Sequence, residues 1–293
     1  MNISESILLK LVKNWKSVWD EGHPEIKKGV KSDEHDMQYA YYQVFSKIKN
    51  GIKVNVYSKK VLEIGCGHGG ISLYAALNGA KQVVGIDVSD KALIAANKFK
   101  ESVTKEIGHK LNLSFSKMTA ESLAFENESI DIIIADNVFE HVADIDIVMK
   151  ECYRVLSKGG KIVVPNFPSF YSKFGSHVKY GIKIPWVHVF FKERTVINVM
   201  HILARNDNKM FEFYPGLKKG AKTYQEIRAY NDFNYISNKI FAKSALRSGF
   251  YIETMYSNRP KLAWFLMKII PFLRKTKLDD ILSYGTSAIL VKK

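Results

Sequence analysis

The fold is decided by the stretch KKVLEIGCGHGGISLYAALNGAKQVVGID, residues 59–87. It holds a short apolar run, KVLEIG, then a glycine-rich turn, an amphipathic segment, ISLYAALNG, and a second apolar run, QVVGID. Short β-branched runs predict buried strands, and apolar residues at helical spacing predict a helix between them. Because parallel strands must be joined by a crossover, this order predicts a βαβ unit.

The same alternation continues toward the C-terminus. Further segments follow in the order DKALIAANKFKESVTKEIG, LNLSFSKM, IDIIIADN, DIDIVMKECYRVLSKGG and KIVVPNF, and after an interruption in the order NYISNKIFAKSALRSG, FYIETMYS and GTSAILVKK. Alternating strands and helices predict an α/β fold with a mostly parallel sheet and helices on both faces. We divide the chain into an N-terminal helical attachment at 1–50, a core at 51–168, an aromatic insertion at 169–230 and a C-terminal completion of the core at 231–293.

Composition places the chain among globular proteins. Of its 293 residues, 46% are hydrophobic and 25% are charged, which excludes the low hydrophobicity of disordered chains. The net charge of +15 is compatible with a nucleic acid, an anionic membrane surface or an acidic small molecule as partner. It is equally compatible with a lysine-rich surface that serves solubility alone.

Two cysteines, Cys66 and Cys152, match no disulfide framework and no metal-ligand spacing, so we expect reduced thiols and no metal. The N-terminus, MNISESILLKLVKNW, lacks the basic start of a signal peptide. No stretch reaches the ~20 apolar residues of a membrane span. These features predict a cytoplasmic location, with peripheral membrane contact left open.

The glycine-rich turn is the sharpest motif. Gly65, Gly67 and Gly70 satisfy the dinucleotide pattern G-x-G-x-x-G, and Asp87 ends the next strand about 20 residues later, where a carboxylate can accept bonds from ribose hydroxyls. A diphosphate would favour the start of the following helix. Glu63 places a carboxylate beside the same turn, which favours a cationic ligand group, and both kinds of ligand remain open.

The ordered set LEIGCGHGG, GIDVSDKAL, MTAESLAF, IDIIIADNVFEHV and ECYRVLSKGGKIVVPNFP closely resembles class I S-adenosylmethionine-dependent methyltransferases of the UbiE-like type. The resemblance covers about residues 59–168, and weakly about 231–256. It implies a Rossmann-like, doubly wound, seven-stranded sheet, with the insertion as a cap, and S-adenosylmethionine as cofactor. Carried over by position, it implies contacts to the methionine portion from Glu63, Gly65, Cys66 and Gly67, to the ribose from Asp87, to the adenine from Val88, Met118, Thr119 and Ala120, and beside the methyl donor from Asp136 and Asn137.

Some positions depart from the family or have a structural interpretation. The family often has aspartate where this chain has Thr119, so a hydroxyl or the backbone would contact the adenine amine. His141 lies in the family's recurrent E-H-V and is a candidate base, although a structural role is favoured. For Arg154 and the turn at 158–160 we expect a structural role.

The acceptor is the open question. Enzymes that methylate amino groups of adenine or glutamine commonly carry [D/N]-P-P-[aromatic] after the fourth strand. Here residues 136–139 are Asp-Asn-Val-Phe, which lack the two prolines. The similar Asn-Phe-Pro at 166–168 follows the fifth strand, which is the wrong place for this motif. The insertion offers His177 and His188 as candidate bases. Its aromatic residues either line an apolar acceptor pocket or form a small core of their own; they include Tyr171, Tyr180 and Trp186.

The segment PKLAWFLMKIIPFLRKTK, at 260–277, predicts an amphipathic helix with basic ends, which either rests on an anionic membrane or is a buried core helix.

Taken together, the resemblance, the aromatic insertion and this basic helix predict a methyltransferase. It would act on oxygen or carbon of a small, hydrophobic acceptor of lipid-linked, quinone, polyketide or isoprenoid-like character. An RNA methyltransferase is the first alternative, because of the basic charge. A non-catalytic binding module of the same fold and a dinucleotide oxidoreductase are the others.

Overall fold

A computed structural model of the chain describes residues 54–293 except 174, 179, 228–233, 261, 262, 264–268 and 271–276, together with Ser6. The helices expected within residues 1–50, and most of the amphipathic helix expected at 260–277, lie outside the described residues. The expectation that this second segment rests on a membrane or is buried therefore stays a prediction.

The described residues form a seven-stranded sheet with the order β3-β2-β1-β4-β5-β7-β6. The strands are β1 Lys60–Ile64, β2 Gln82–Asp87, β3 Leu113–Lys117, β4 Ile130–Ala135, β5 Leu156–Phe167, β6 Phe250–Asn258 and β7 Gly285–Lys292. Strands β1 to β5 pair in parallel, and β7 runs antiparallel to β5. The expected Rossmann-like, doubly wound and mostly parallel sheet is confirmed.

Helices connect the strands and continue into the insertion. They are α1 Gly70–Leu77, α2 Asp90–Ile107, α3 Ile145–Val155, α4 Val187–Phe190, α5 Glu193–Ala204, α6 Lys209–Phe213, α7 Asn238–Arg247 and α8 Lys277–Ile281, with a 3-10 helix at Pro215–Lys219. Side chains at the N-caps fix where two of them begin. Ser89 accepts a hydrogen bond from the Ala92 N–H at 3.3 Å, and Asp144 accepts one from the Asp146 N–H at 2.8 Å.

The two-residue period of the strands divides the core between the two faces of the sheet. Val61, Ile132 and Val163 belong to one buried cluster, to which α1 and α2 also contribute. The alternate residues Leu62 and Ile133 point to the opposite face and are fully buried as well. Burial on both faces explains why these strands are continuous apolar runs.

The chain divides into two compact units. The sheet unit holds the described residues of 54–167, 239–256 and 286–293, and the insertion unit holds those of 168–238 and 257–285. The insertion unit thus begins where the sequence loses its alternation. The segment expected to complete the core, 231–293, is shared between the units, because residues 257–285 pack with the insertion.

The insertion unit has a hydrophobic core of its own. Buried Val196 and Met200 on α5 pack there with Ile182 and with the rings of Phe170 and Tyr224. The aromatic composition of the insertion is therefore used in a small core, one of the two interpretations that the sequence left open. Among the helices of the described residues, none combines the length and the hydropathy that a membrane span requires.

Candidate functional site

The turn between β1 and α1 depends on glycine for two different reasons. Gly65 and Gly67 have φ values of +66° and +51°, in the left-handed region that side chains disfavour. A Cβ at Gly65 would lie 2.6 Å from Cγ2 of Val138, whereas a Cβ at Gly67 would have no atom within 4 Å. Gly65 is therefore required both by its positive φ and by its close contact with the segment after β4. Gly67 is required by its positive φ alone, and the space beside it is open.

Asp87, the last residue of β2, is held against this turn. Its Oδ2 accepts a hydrogen bond from the Gly67 N–H and its Oδ1 accepts one from the Ser89 N–H, both at 2.9 Å. Each carboxylate oxygen has a further lone pair, so the side chain can also accept bonds from vicinal hydroxyls. The next residue, Val88, is 44% exposed and offers an apolar surface beside the carboxylate.

The side chain of Glu63 is buried and bonds a residue of α1, whereas the resemblance implies that it contacts the cofactor. The period of β1 directs it to the α1 face, where it is 4% exposed and accepts hydrogen bonds from the backbone N–H (2.8 Å) and the hydroxyl of Ser72. Burial is the main reason why its pKa is raised to about 8; the hydrogen bonds from Ser72 lower the pKa, and the nearby carboxylates of Asp136 and Asp87 contribute to raising it. Glu63 therefore ties β1 to α1 and adds an acid that ionises readily only above neutral pH or beside a cation.

The segment after β3 is tied to the same edge of the sheet. The Met118 N–H donates to the Asp87 carbonyl at 3.2 Å, and the Met118 sulfur accepts from the Ala124 N–H at 3.3 Å. Thr119 is exposed and Ala120 is buried. The three residues expected to contact an adenine thus follow the strand next to β2, although Thr119 departs from the family's acid.

The segment after β4 completes the site. Asn137 has φ +54°; its N–H donates to the Asn166 carbonyl at 2.8 Å, and its Oδ1 accepts from Asn166 Nδ2 at 2.8 Å. Asp136 is close enough to Glu63 to raise the pKa of that carboxyl. Because β2, β1 and β4 are neighbours, their carboxyl ends bring the turn, Asp87 and Asn137 to one edge, the usual ligand position of such sheets.

The three candidate histidines are distributed over both units. His141 is half-buried in the sheet unit, and its backbone N–H donates to the Val138 carbonyl at 2.8 Å. His177, in the insertion unit, has φ +56°, and its carbonyl accepts from the Tyr214 hydroxyl at 3.2 Å. His188 packs on Phe170 with ring centres 5.0 Å apart, and burial lowers its pKa to about 4, so its imidazole is neutral. A catalytic role for any of them stays a prediction.

The aromatic side chains proposed for an acceptor pocket have structural partners within the insertion unit. The Tyr180 hydroxyl donates to Asp207 at 3.0 Å, and the Tyr180 ring stacks on Phe213 at 4.3 Å. Trp186 Nε1 donates to the Ile281 carbonyl at 2.8 Å. Tyr171 packs against the core of the unit. These contacts explain the presence of the aromatics without a ligand.

Two residues of the site carry no motif that sequence reasoning could use. Ser72 lies on α1, nine residues from the glutamate it binds, and the only sequence signal is its polar side chain on a buried helix face. Asn166 lies at the end of β5, away from the position after the fourth strand at which the amino-methylating motif is expected. Arg154, by contrast, has the structural contacts that the sequence predicts: it donates hydrogen bonds to the Glu151 carboxylate and to the Leu123 carbonyl, both at 2.8 Å.

Comparison with known proteins agrees with this geometry. Residues 62–164 match a family model described as a methyltransferase domain. A ubiquinone biosynthesis O-methyltransferase from Sinorhizobium fredii is 38% identical over 105 residues, which are 36% of this chain and 40% of that protein. The chain spans less than half the length of the curated relatives it matches.

Two solved structures show that the fold extends beyond the matched residues. An S-adenosylmethionine-dependent methyltransferase from Mesorhizobium loti aligns with a TM-score of 0.52 at 17% identity, over 86% of this chain and 98% of the other. The [4+2]-cyclase SpnF aligns with a TM-score of 0.50 at 17% identity, over 87% of this chain and 82% of the other. At such identities the likeness concerns the fold alone.

Proposed function

We propose that this chain is a class I S-adenosylmethionine-dependent methyltransferase that transfers a methyl group to oxygen or carbon of a small hydrophobic acceptor. One observation carries the proposal. The glycine turn, the Asp87 carboxylate and the Asn137 amide meet at the carboxyl edge of β1, β2 and β4 and are joined by hydrogen bonds to one another or to neighbouring strand ends.

The chemistry of this edge suits a cationic nucleoside better than a dinucleotide. The carboxyl groups of Asp87 and Asp136 lie close enough to Glu63 to raise its pKa, and a bound cation would favour the ionised form of that buried acid. Such an acidic group attracts a sulfonium and an ammonium and repels a diphosphate. When bound, S-adenosylmethionine supplies an electrophilic methyl group on a positively charged sulfur.

The residues of the chain would hold that cofactor by position. Asp87 accepts bonds from the ribose hydroxyls, and the exposed side chain of Val88 packs on the adenine, whose edge meets residues 118–120. The turn at 65–67 encloses the methionine portion, and residues 136–137 lie beside the methyl group. The main contribution of the protein is then alignment of a nucleophile with the methyl carbon, which is an effect of position and orientation.

The acceptor is inferred from the relatives and from the insertion unit. The curated relatives are named for O-methylation in ubiquinone biosynthesis, which favours an oxygen nucleophile on a lipophilic molecule. The insertion unit is proposed as the cap over that molecule, with His177, His188 or His141 as the base. Residues 168–238 and 257–285 of the sequence include 17 Lys and Arg against 7 Asp and Glu, and Phe190 is 75% exposed, so peripheral contact with an anionic membrane in the cytoplasm is part of the proposal.

The cofactor is tested by titration calorimetry of the purified chain with S-adenosylmethionine and, separately, with NAD. Asp87→Ala should weaken S-adenosylmethionine binding by about 1–3 kcal/mol, because a charged hydrogen-bond acceptor is lost. Asp90→Ala is the matched control, since that carboxylate starts α2 and pairs with Lys117. Equal affinity in the Asp87 variant, or preference for NAD, contradicts the proposal.

The acceptor class is tested by incubating cell extract with the chain and methyl-tritiated cofactor, followed by partition of the label. Label in the organic fraction supports a lipophilic acceptor. The basic charge of the insertion makes RNA the second candidate. Salt-sensitive label in the RNA fraction would mean that the acceptor is RNA and not a lipophilic molecule.

A further inference from the structure

The sheet unit has a second concave site, at the edge of the sheet opposite the glycine turn. A cavity of about 340 Å³ lies at the amino ends of β1 and β4 and is bordered by Lys59, by Asp131 and by residues 157–161 of β5. Along β4, Asp131 is five residues from Asp136, which lies at the cofactor edge. Five residues of strand span about 16 Å, so the two sites are separate.

The cavity borders an irregularity in the pairing of β4 with β5. Ile130 pairs with Leu156 and Ile132 pairs with Lys161, so one residue of β4 lies opposite the four residues 157–160 of β5. The first glycine of this turn has φ +74°, and a Cβ on the second would lie 2.8 Å from a carbonyl oxygen of the turn itself. The two glycines therefore allow the extra residues to leave the ladder, and such bulges are common beside binding sites.

The three lysines that border the cavity differ in their partners. Lys161 Nζ donates to both carboxylate oxygens of Glu253, at 2.9 Å each. Lys59 and Lys158 are exposed, and no acid in the described part of the chain pairs with either. They approach from opposite sides of β4, because β1 and β5 flank that strand. An anion that binds between these two ammonium groups breaks no ion pair of the folded chain, and lysine is a common ligand of phosphate.

The acid between the two lysines adds hydrogen-bond acceptors. Asp131 Oδ2 accepts from the Lys60 N–H at 2.8 Å, and Oδ1 accepts from the Ser157 hydroxyl at 3.4 Å. Each oxygen keeps a further lone pair, which suits the hydroxyl groups of a ligand. The same carboxylate repels a bare anion. The cavity is therefore suited to a ligand that carries hydroxyls next to its anionic group.

We propose that this cavity is a second binding site, and that its ligand is a small sugar phosphate. The phosphate lies between Lys59 and Lys158, and the sugar hydroxyls donate to Asp131. The volume of the cavity is near the lower end of the roughly 300–1,000 Å³ of ligand sites, which suits a pentose phosphate better than a larger conjugate.

The test is titration calorimetry of the full chain with ribose 5-phosphate at low salt, with ribose and inorganic phosphate as comparison probes. The native chain should bind ribose 5-phosphate more tightly than either probe, and added salt should weaken binding because exposed charges are screened. The double variant Lys59→Ala/Lys158→Ala should bind it at least about tenfold more weakly, because two charge-assisted hydrogen bonds are lost. Lys98→Ala/Lys105→Ala is the matched control, since both lysines are exposed on α2 and neither borders the cavity.

A further variant tests the contact with the sugar. Asp131→Asn removes a negative charge and replaces one acceptor oxygen with a donor, so the affinity for inorganic phosphate should rise. The ratio of ribose 5-phosphate affinity to phosphate affinity should fall about threefold or more, because a hydroxyl loses its charged acceptor.

Three results overturn the inference: no binding of ribose 5-phosphate by the native chain at millimolar concentration, equal binding by the native chain and the double lysine variant, or equal binding of ribose and ribose 5-phosphate. Inorganic phosphate bound as tightly as ribose 5-phosphate by the native chain excludes the sugar contact and overturns the assigned ligand class. The circular dichroism spectrum of each variant shows whether it is folded. These measurements need no S-adenosylmethionine, so their outcome is independent of the function proposed above.

Discussion

Replacement of the buried acid under the glycine turn tests the electrostatics of the site without any ligand. Glu63→Gln keeps an oxygen that can accept both hydrogen bonds from Ser72 and removes the ionisable group. We expect the variant and the native chain to be similarly stable near pH 5 and the variant to be more stable at pH 8. The reason is that the folded state holds a proton on Glu63 that the unfolded chain has already lost.

The direction and size of this pH effect on stability follow from the pKa of Glu63 in the unfolded and in the folded chain. Burial raises the pKa from 4.5 to about 8, so between these values the folded state binds one more proton than the unfolded state, and the free energy of unfolding falls as pH rises. Each pH unit in that window corresponds to about 1.4 kcal/mol. Allowing for partial ionisation of the folded state near pH 8, the native chain should lose about 2 kcal/mol relative to the variant between pH 6 and pH 8.

Urea unfolding followed by circular dichroism at several pH values measures this difference. A change of about 2 kcal/mol displaces the midpoint of the native chain relative to the variant by roughly 0.5–1 M urea. Other groups titrate in both proteins and cancel in the comparison. Parallel curves for the two proteins from pH 5 to pH 8 would show that Glu63 is ionised in the folded state and would refute the reasoning.

Three further outcomes are expected, two for the site and one for the insertion unit. Gly65→Ala should lower both the Tm and the affinity for S-adenosylmethionine, because its Cβ would meet Cγ2 of Val138 at 2.6 Å, and Val138→Ala should restore part of the Tm in the double variant. His188→Ala should leave calorimetric affinity for S-adenosylmethionine unchanged while lowering the Tm, since its ring packs on the core of the insertion unit. Binding of S-adenosylmethionine near pH 7 should release protons, measured as a dependence of the calorimetric heat on the buffer, because a bound cation favours ionised Glu63; the Glu63→Gln variant should release fewer.

The sheet could be predicted because its signals are local. In β1 and β4 nearly every residue is buried, and this produces continuous apolar runs that helices of regular period separate. The strand order and the antiparallel pairing of β7 with β5 carry no such signal, because they depend on which edge of the sheet the chain reaches after leaving the insertion. The division of residues 231–293 between two units escaped prediction for the same reason.

The cofactor half and the acceptor half of the site differ in how far sequence can specify them. The turn at 65–67 and Asp87 belong to one βαβ unit, so about 20 residues fix their spacing and the motif is visible. The Asn137–Asn166 pair joins two strand ends 29 residues apart, and its members become neighbours only because β4 and β5 are adjacent. Because no local pattern records such a pair, it cannot be predicted from the sequence, whereas the glycine turn can.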